Sequence, residues 1–149
     1  MDANRVKIFL ILDCLLNHHP SQLGGKDERR ELALSRLRAL TDSLHAAGQR
    51  RTLAVGDFND DLWKEIPNQV GDDARKGARG TLKYNGKWEK IDGGFAEGFL
   101  RVREEVFDDP ILLEADKAFG GSKPRRTFVG PRYVGGVSDH LPVVFIVYY

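Results

Sequence analysis

The sequence is poor in the residues that hold a small domain together covalently. Its 149 residues include one cysteine, Cys14. A single cysteine excludes an internal disulfide, and without a second thiol no cysteine-rich zinc site is possible. Cys14 lies inside the apolar segment 8–16, so we interpret it as a buried core thiol rather than a nucleophile.

An excess of charge of either sign is also absent. Lys and Arg number 23 and Asp and Glu number 22, which gives a net charge of +1. The overall charge therefore offers no argument for a nucleic acid or a membrane as partner, although a local basic patch remains compatible with it. Hydrophobic residues make up 41% of the chain and charged residues 30%, as in a soluble globular protein. The length suits a single domain over residues 1–149.

A long hydrophobic run is the third absence. The most apolar stretch, residues 6–16, is interrupted by Lys7 and Asp13. It is too short to span a bilayer and has no small-residue cleavage pattern, so we expect no membrane association. Its β-branched and aromatic content predicts an interior strand over residues 6–12.

The remaining pattern predicts alternating strands and one long helix. Ala33, Leu37 and Leu44 repeat at helical spacing, and Gly48 is a natural helix end. Asn85-Gly86 between two short apolar runs is typical of a hairpin. The expected helix covers 27–47, the expected strands cover 52–55, 81–84, 88–92, 100–107 and 141–149, and the expected loop covers 118–131.

Polar clusters stand at the ends of three predicted strands, where layered folds form their active sites. Residues 17–21 contain His18, which suits a phosphate donor or a general acid, although the same residues also suit a capped turn. Asp57 and Asn59 lie two apart in an extended segment and therefore project to one face. A carboxylate beside an amide suits a hard cation and a phosphate oxygen, but an Asx-rich turn would have the same composition.

The third cluster is Ser138-Asp139-His140, just before the last strand. An adjacent carboxylate and imidazole can supply a metal ligand and a base. Asp92, at the end of an earlier strand, is a candidate to orient the imidazole of His140.

Taken in order, these motifs resemble the endonuclease/exonuclease/phosphatase family, and most of all its bacterial members described as endonucleases. The resemblance spans residues 6–149 and is carried by the strings NHHPSQLGG, VGDFND, GTLKYNGKWEKID and KPRRTFVGPRYVGGVSDHLPV. It implies an α/β (α+β) fold: the C-terminal half of a four-layer α/β/β/α sandwich, with one mainly antiparallel or mixed sheet and one long helix packed on it. It also implies Mg²⁺ or Mn²⁺ as cofactor and a phosphodiester, DNA or RNA among others, as substrate.

The resemblance further implies roles for individual residues. His18 would contact the scissile phosphate or protonate the leaving oxygen, and Asp57 would activate the attacking water and contribute to the metal site. Asn59 would hold a phosphate oxygen, Asp92 would stand behind the catalytic histidine, and His140 would be that histidine.

Two further residues complete the expected site. Asp139 would be a metal ligand in this resemblance. Arg126 is a candidate phosphate-binding residue, and a solvated loop arginine is the equal alternative.

One departure from the family pattern qualifies these expectations. The family's first half carries an asparagine and a metal-binding glutamate, and we find no such pair before Val6. A half sandwich would expose an apolar sheet face, so we expect self-association or pairing with an N-terminal half. The alternatives to a nuclease-type hydrolase are a phosphatase or phospholipase-like member, a catalytically incomplete assembly module, and a non-catalytic nucleic-acid-binding module.

Overall fold

One helix and several small sheets make up the fold. A computed structural model describes residues 12–22, 27–60 and 79–148, and these residues form a mixed α/β structure that is mostly strand. The helix α1 spans Asp27–Ala46 and a 3₁₀ turn spans Pro110–Leu112. The strands are β1 Asp13–His18, β2 Thr52–Asp57, β3 Leu82–Tyr84, β4 Lys87–Glu89, β5 Asp92–Glu97, β6 Arg101–Val106, β7 Leu113–Ala115, β8 Ser122–Pro124, β9 Phe128–Val129, β10 Arg132–Tyr133 and β11 Val143–Tyr148.

Helix α1 matches its prediction to within one residue at its C-terminal end. Asp27 and Glu28 stand in its first turn, where carboxylates interact favourably with the helix dipole. Gly48 follows it with φ of 91°, a left-handed conformation that glycine adopts without steric cost. The amide of Gly48 donates to the carbonyl of His45, and this bond closes the last turn.

The sheet that carries the site is the three-stranded sheet β1-β2-β5. β1 and β2 run parallel, and β5 runs antiparallel to β2. Side chains alternate between its two faces. On the covered face, Leu15, Ala54 and Phe95 pack with Leu37 of α1 and with Phe58, which directly follows β2. The open face is formed by the alternate residues in register, namely Cys14, Leu16, His18, Leu53, Val55, Asp57, Asp92, Gly94 and Ala96.

The predicted burial of Cys14 is wrong, because the structure exposes its side chain. Among the described strands β1 lies at the edge of its sheet, and its residues alternate between half-buried and exposed. Cys14 and Leu16 belong to the exposed set, and Leu16 is 84% exposed. The predicted strand 6–12 lies outside the described residues except for Leu12, and the described strand begins one residue later.

The predicted hairpin forms around Asn85-Gly86, but its second strand is shorter than predicted. β4 ends at Glu89, and the chain turns through Lys90 and Ile91 before β5 begins at Asp92. The break occurs because the hydroxyl of Thr81 accepts the amides of Ile91 and Asp92, so these residues leave the hairpin ladder. The predicted loop 118–131 is also partly strand, since β8 and β9 lie inside it. The segment 61–78, for which we predict weak structure, lies outside the described residues.

The strands are distributed over five small sheets instead of the one sheet that we expect from the sequence. β11 pairs with β6 and adjoins β5 without forming a ladder with it. At the junction the ring of Phe145 on β11 packs against Gly94 of β5, where an added Cβ would lie 3.1 Å from the ring. Two buried ion pairs stabilise the region beyond, Lys83 with Asp116 and Lys90 with Glu104.

Apolar side chains are exposed on strands β1 and β11. Leu16 on β1 and Val144, Ile146 and Tyr148 on β11 are exposed. The expected association through an apolar face stays a prediction. No helix among the described residues is long and apolar enough to cross a membrane.

Candidate active site

Three polar side chains form a row across the end of the open face. His18, Asp57 and Asp92 are register partners on β1, β2 and β5. Register partners project to the same side of a sheet, so the ladder itself brings the three groups together. Gly56 allows the strands to approach at this end, because its φ is 147° and an added Cβ would collide with the carbonyl oxygen of Asn17.

Asp57 occupies the middle of the row. Its Oδ1 accepts the backbone amide of Asn59 at 2.8 Å, and its Oδ2 lies 3.7 Å from Nε2 of His18. Burial raises the pKa of the Asp57 carboxyl, and the charge of Asp92 raises this pKa further, while the Asn59 amide and the two histidines lower it. Two carboxylates on one half-buried face repel each other, and this repulsion would be offset by a cation.

His140 and Asp92 form a hydrogen-bonded pair. Nδ1 of His140 lies 2.8 Å from Oδ2 of Asp92, and both side chains are about three-quarters or more buried. The hydrogen bond that His140 makes to Asp92 raises the pKa of His140, whereas burial lowers it. The negative charges of Asp92, Asp139 and Asp57 also raise this pKa. A proton on Nδ1 that is donated to Asp92 leaves Nε2 as the acceptor nitrogen of the neutral ring. The pair can therefore act as an oriented base.

Thr81 anchors the backbone on both sides of this pair. It is fully buried, and its hydroxyl accepts the amide of Asp92 at 3.2 Å. Its carbonyl accepts the amide of Leu141 at 2.7 Å, directly after His140. The pattern analysis did not single out Thr81 as a site residue, because its contribution is a set of contacts to segments 10 and 60 positions away. A threonine at the start of a predicted strand is not part of any active-site motif.

The first polar cluster divides into an exposed and a buried histidine. His18 points outward with its side chain 80% exposed. His19 is buried, its ring meets that of Phe58 edge-on at 4.9 Å, and burial lowers its pKa. The Asn59 side-chain nitrogen donates to the carbonyl of His19 at 2.9 Å, and this bond holds the buried amide beside the first polar cluster.

An open groove runs along the site and the adjoining apolar surface. Its volume is about 580 Å³. His18, Asp57 and Asp92 line one end, and Leu16, Val55 and Phe145 are among the apolar residues that line the rest. His18, Asp57 and Asp92 thus stand at the rim of an accessible depression and are within reach of a ligand.

Comparison with protein families decides the ancestry of this arrangement. The endonuclease/exonuclease/phosphatase family profile matches residues 10–148, almost the whole chain. The chain belongs to the endonuclease/exonuclease/phosphatase family. Members of this family are hydrolases of phosphate esters and typically depend on a divalent metal. Neither a search of curated proteins nor a search of solved structures gave a match.

The side chains of the site suit a divalent cation. Among the described residues, Asp57, Asp92 and His140 each offer a ligand atom, and these atoms lie within 4.8 Å of one another. Two carboxylates and an imidazole suit a hard or borderline divalent cation. A carboxylate has two oxygens, so Asp92 can hold His140 through Oδ2 and still have Oδ1 for a cation.

The other predicted residues lie around this group. Asp139 is exposed, and it acts on His140 through its charge but is not one of the three clustered ligands. Arg126 is half-buried, and its backbone lies against Gly136. The ligand role of Asp139 and the phosphate-binding roles of Arg126, His18 and Asn59 stay predictions. Asp60, which follows Asn59 in the chain, lies 3.7 Å from the guanidinium of Arg30.

Proposed function

We propose that this protein is a metal-dependent phosphodiester hydrolase of nuclease type. The observation that carries the proposal is the His140–Asp92 hydrogen bond of 2.8 Å, with Asp57 clustered beside it. An imidazole oriented by a carboxylate is how many hydrolases activate a nucleophile. Membership of the family supports the general activity class, hydrolysis of phosphate esters.

In this proposal His140 accepts a proton from the attacking water. Asp92 holds the ring through Nδ1, so that Nε2 is free to take the proton. Asp57 lies in contact range of His18 and in the same cluster as His140, so its carboxylate can orient the water from the centre of the row. Both carboxylates also stabilise the imidazolium that forms when the proton arrives.

The leaving side of the reaction belongs to the exposed histidine. His18 can donate a proton to the departing oxygen or hold a phosphate oxygen, since its side chain is accessible. The side-chain amide of Asn59 would hold another phosphate oxygen in the transition state. Arg126 would add a further phosphate contact from the neighbouring loop.

Mg²⁺ or Mn²⁺ is the proposed cofactor. Asp57 and Asp92 would hold it next to the His140 base, with Asp139 as the further ligand that the motif implies. When bound, the cation supplies charge neutralisation at the phosphoryl oxygens.

The test is cleavage of supercoiled plasmid and of a small diester such as bis(p-nitrophenyl) phosphate, with and without Mg²⁺ or Mn²⁺. We expect metal-dependent cleavage that the His140→Ala variant loses by about 10²- to 10⁴-fold. His45→Ala is the matched control, because His45 is a surface histidine paired with Glu97. Absence of diester cleavage by the wild-type chain at every metal tested would contradict the proposal and favour a catalytically incomplete assembly module. Cleavage of a monoester alone would identify the phosphatase alternative.

A further inference from the structure

A small hairpin next to the catalytic segment exposes an unusual amount of aromatic and apolar surface. β9 and β10 have two residues each and turn at Gly130-Pro131. Phe128 and Tyr133 are 55% and 66% exposed, and their rings meet edge-on with centroids 5.6 Å apart. Two mutually supported rings on so short a hairpin form a fixed surface that is not buried in any described core.

Positive charge concentrates in the same part of the chain. Residues 117–138 contain five basic residues and no acidic one, although the whole chain has a net charge of only +1. The other residues together therefore carry −4. Lys123 is paired with Glu114 at 3.4 Å, whereas the arginines make no ion pair with another residue in the part of the chain that the structure describes. The five basic residues are Lys117, Lys123, Arg125, Arg126 and Arg132.

Hydrogen bonds connect this basic segment to the catalytic histidine. The carbonyl of Arg125 accepts the amides of Val137 and Ser138, at 2.8 Å and 3.3 Å. The hydroxyl of Ser138 then accepts the amide of His140 at 3.1 Å. The base of the hairpin is closed by Thr127, whose carbonyl accepts the Val134 amide. A ligand held by the basic segment is thereby held beside the segment that positions His140.

From this combination we infer that the β9–β10 hairpin and its flanking arginines bind single-stranded nucleic acid as the substrate of the active site. The inference rests on the proposed function, since it names the substrate class of that phosphodiesterase. Exposed rings can stack on unpaired bases, and arginines that have no acidic partner among the described residues can contact the phosphates between them. A duplex hides the faces of its bases, so it could use the arginines but not the rings.

The experiment measures binding separately from cleavage. All variants are made on a His140→Ala background, and fluorescence anisotropy follows a labelled single strand of about ten nucleotides, a length typical of such sites. We expect Phe128→Ala and Tyr133→Ala each to weaken binding about 5- to 100-fold. Phe107→Ala is the aromatic control, because Phe107 is also exposed but lies outside the hairpin. Its affinity should equal that of the background protein.

The arginines are tested through salt dependence. Replacing Arg125, Arg126 and Arg132 by alanine should make the negative slope of log affinity against log salt less steep by about 2. Each phosphate contact on a single strand contributes about 0.7 to the size of that slope. Arg36→Ala with Arg38→Ala is the control, since both arginines lie on the exposed face of α1. That double variant should leave the slope unchanged. Circular dichroism melting of each variant confirms that it folds.

Four results would overturn the inference. The first is no binding of the single strand by the folded background protein, and the second is equal affinity of the hairpin variants and the control. The third is tighter binding of the matched duplex, and the fourth is hairpin-dependent binding to phosphatidylserine vesicles without oligonucleotide binding, which would identify a membrane surface instead. Failure of the proposed function has a different signature, namely oligonucleotide binding by the wild-type chain without diester cleavage at any metal.

Discussion

The two faces of the β1-β2-β5 sheet are formed by the same three strands and are covered to different extents. On the covered face, Ala54 is fully buried and Leu37 and Phe58 pack against it. On the open face, Leu16 is 84% exposed and the row from His18 to Asp92 borders a groove. One-residue alternation in an extended chain is sufficient to separate the packing from the chemistry.

This difference shows that stability and reactivity are held by neighbouring residues with separate tasks. Asp57 and Phe58 are adjacent in the chain, yet one faces the groove and the other the core. A substitution at one position should therefore affect activity with little loss of stability, and a substitution at the other should do the reverse. Three predictions test this separation.

The largest expected effect is on catalysis by the Asp92→Asn variant. The change keeps the size of the side chain but removes the charge that orients His140, so we expect a loss of about 10²- to 10⁴-fold in kcat. His140 acts as a base when neutral, and Asp92 raises its pKa. In the wild-type protein, activity should fall as the pH drops through that raised pKa. In the variant the pKa falls, so the residual activity should persist to lower pH.

The pH–rate profile of diester cleavage measures this shift. Asp42→Asn is a suitable control, because Asp42 lies on the exposed side of α1. A variant profile whose acidic limb moves to higher pH, or a rate equal to that of the wild-type protein, would show that Asp92 does not act through His140.

The next effect is on stability and compares Phe58→Ala with Leu16→Ser. Phe58 is 2% exposed, and removing its ring from the core should lower the free energy of unfolding by about 3–5 kcal/mol. Leu16 lies on the open face, and its replacement should change the same free energy by less than about 0.5 kcal/mol. Urea denaturation followed by circular dichroism measures both. A large loss for Leu16→Ser would mean that the open face is packed in solution, as self-association requires.

The smallest effect is on stability in the Asp57→Asn variant. Burial raises the folded-state pKa of Asp57 above its unfolded value, so its protonated form contributes stability at low pH. That stability is lost as the pH rises through the folded pKa, because the charged form is then enforced. Asparagine does not titrate, so the variant should melt higher than the wild-type protein near pH 7 and at the same temperature near pH 3. Melting curves at the two pH values decide this, and a lower melting temperature at pH 7 would contradict it.

Sequence patterns were informative where the determinants are local. Helix α1 agrees with its predicted span to within one residue, since its periodicity and its end signal Gly48 lie within the segment itself. The turn Asn85-Gly86 is equally local. The pairing of Asp92 with His140 was also predicted, from motif order rather than from spacing, and the structure brings the two groups to hydrogen-bonding distance.

The errors concern features that depend on distant neighbours. The exposure of Cys14 follows from the edge position of β1, and an apolar sequence is the same at an edge and in the centre of a sheet. The division of the predicted strand 88–92 follows from a hydroxyl ten residues away in the chain. The separation of the β6-β11 sheet from β1-β2-β5 depends on how β11 meets Gly94 of β5, a contact between segments that are distant along the chain.

The sequence by itself determined the family, the helix and the residue types of the site, because those depend on order and short-range spacing along the chain. Only the tertiary structure decided that Asp57 and Asp92 stand in register on one open face with His140 beside them. It also decided that Thr81 holds the backbone on either side of the His140–Asp92 pair. The physical reason is that register, burial and pKa depend on which distant segments meet, and the energy of those contacts is not written in any one segment.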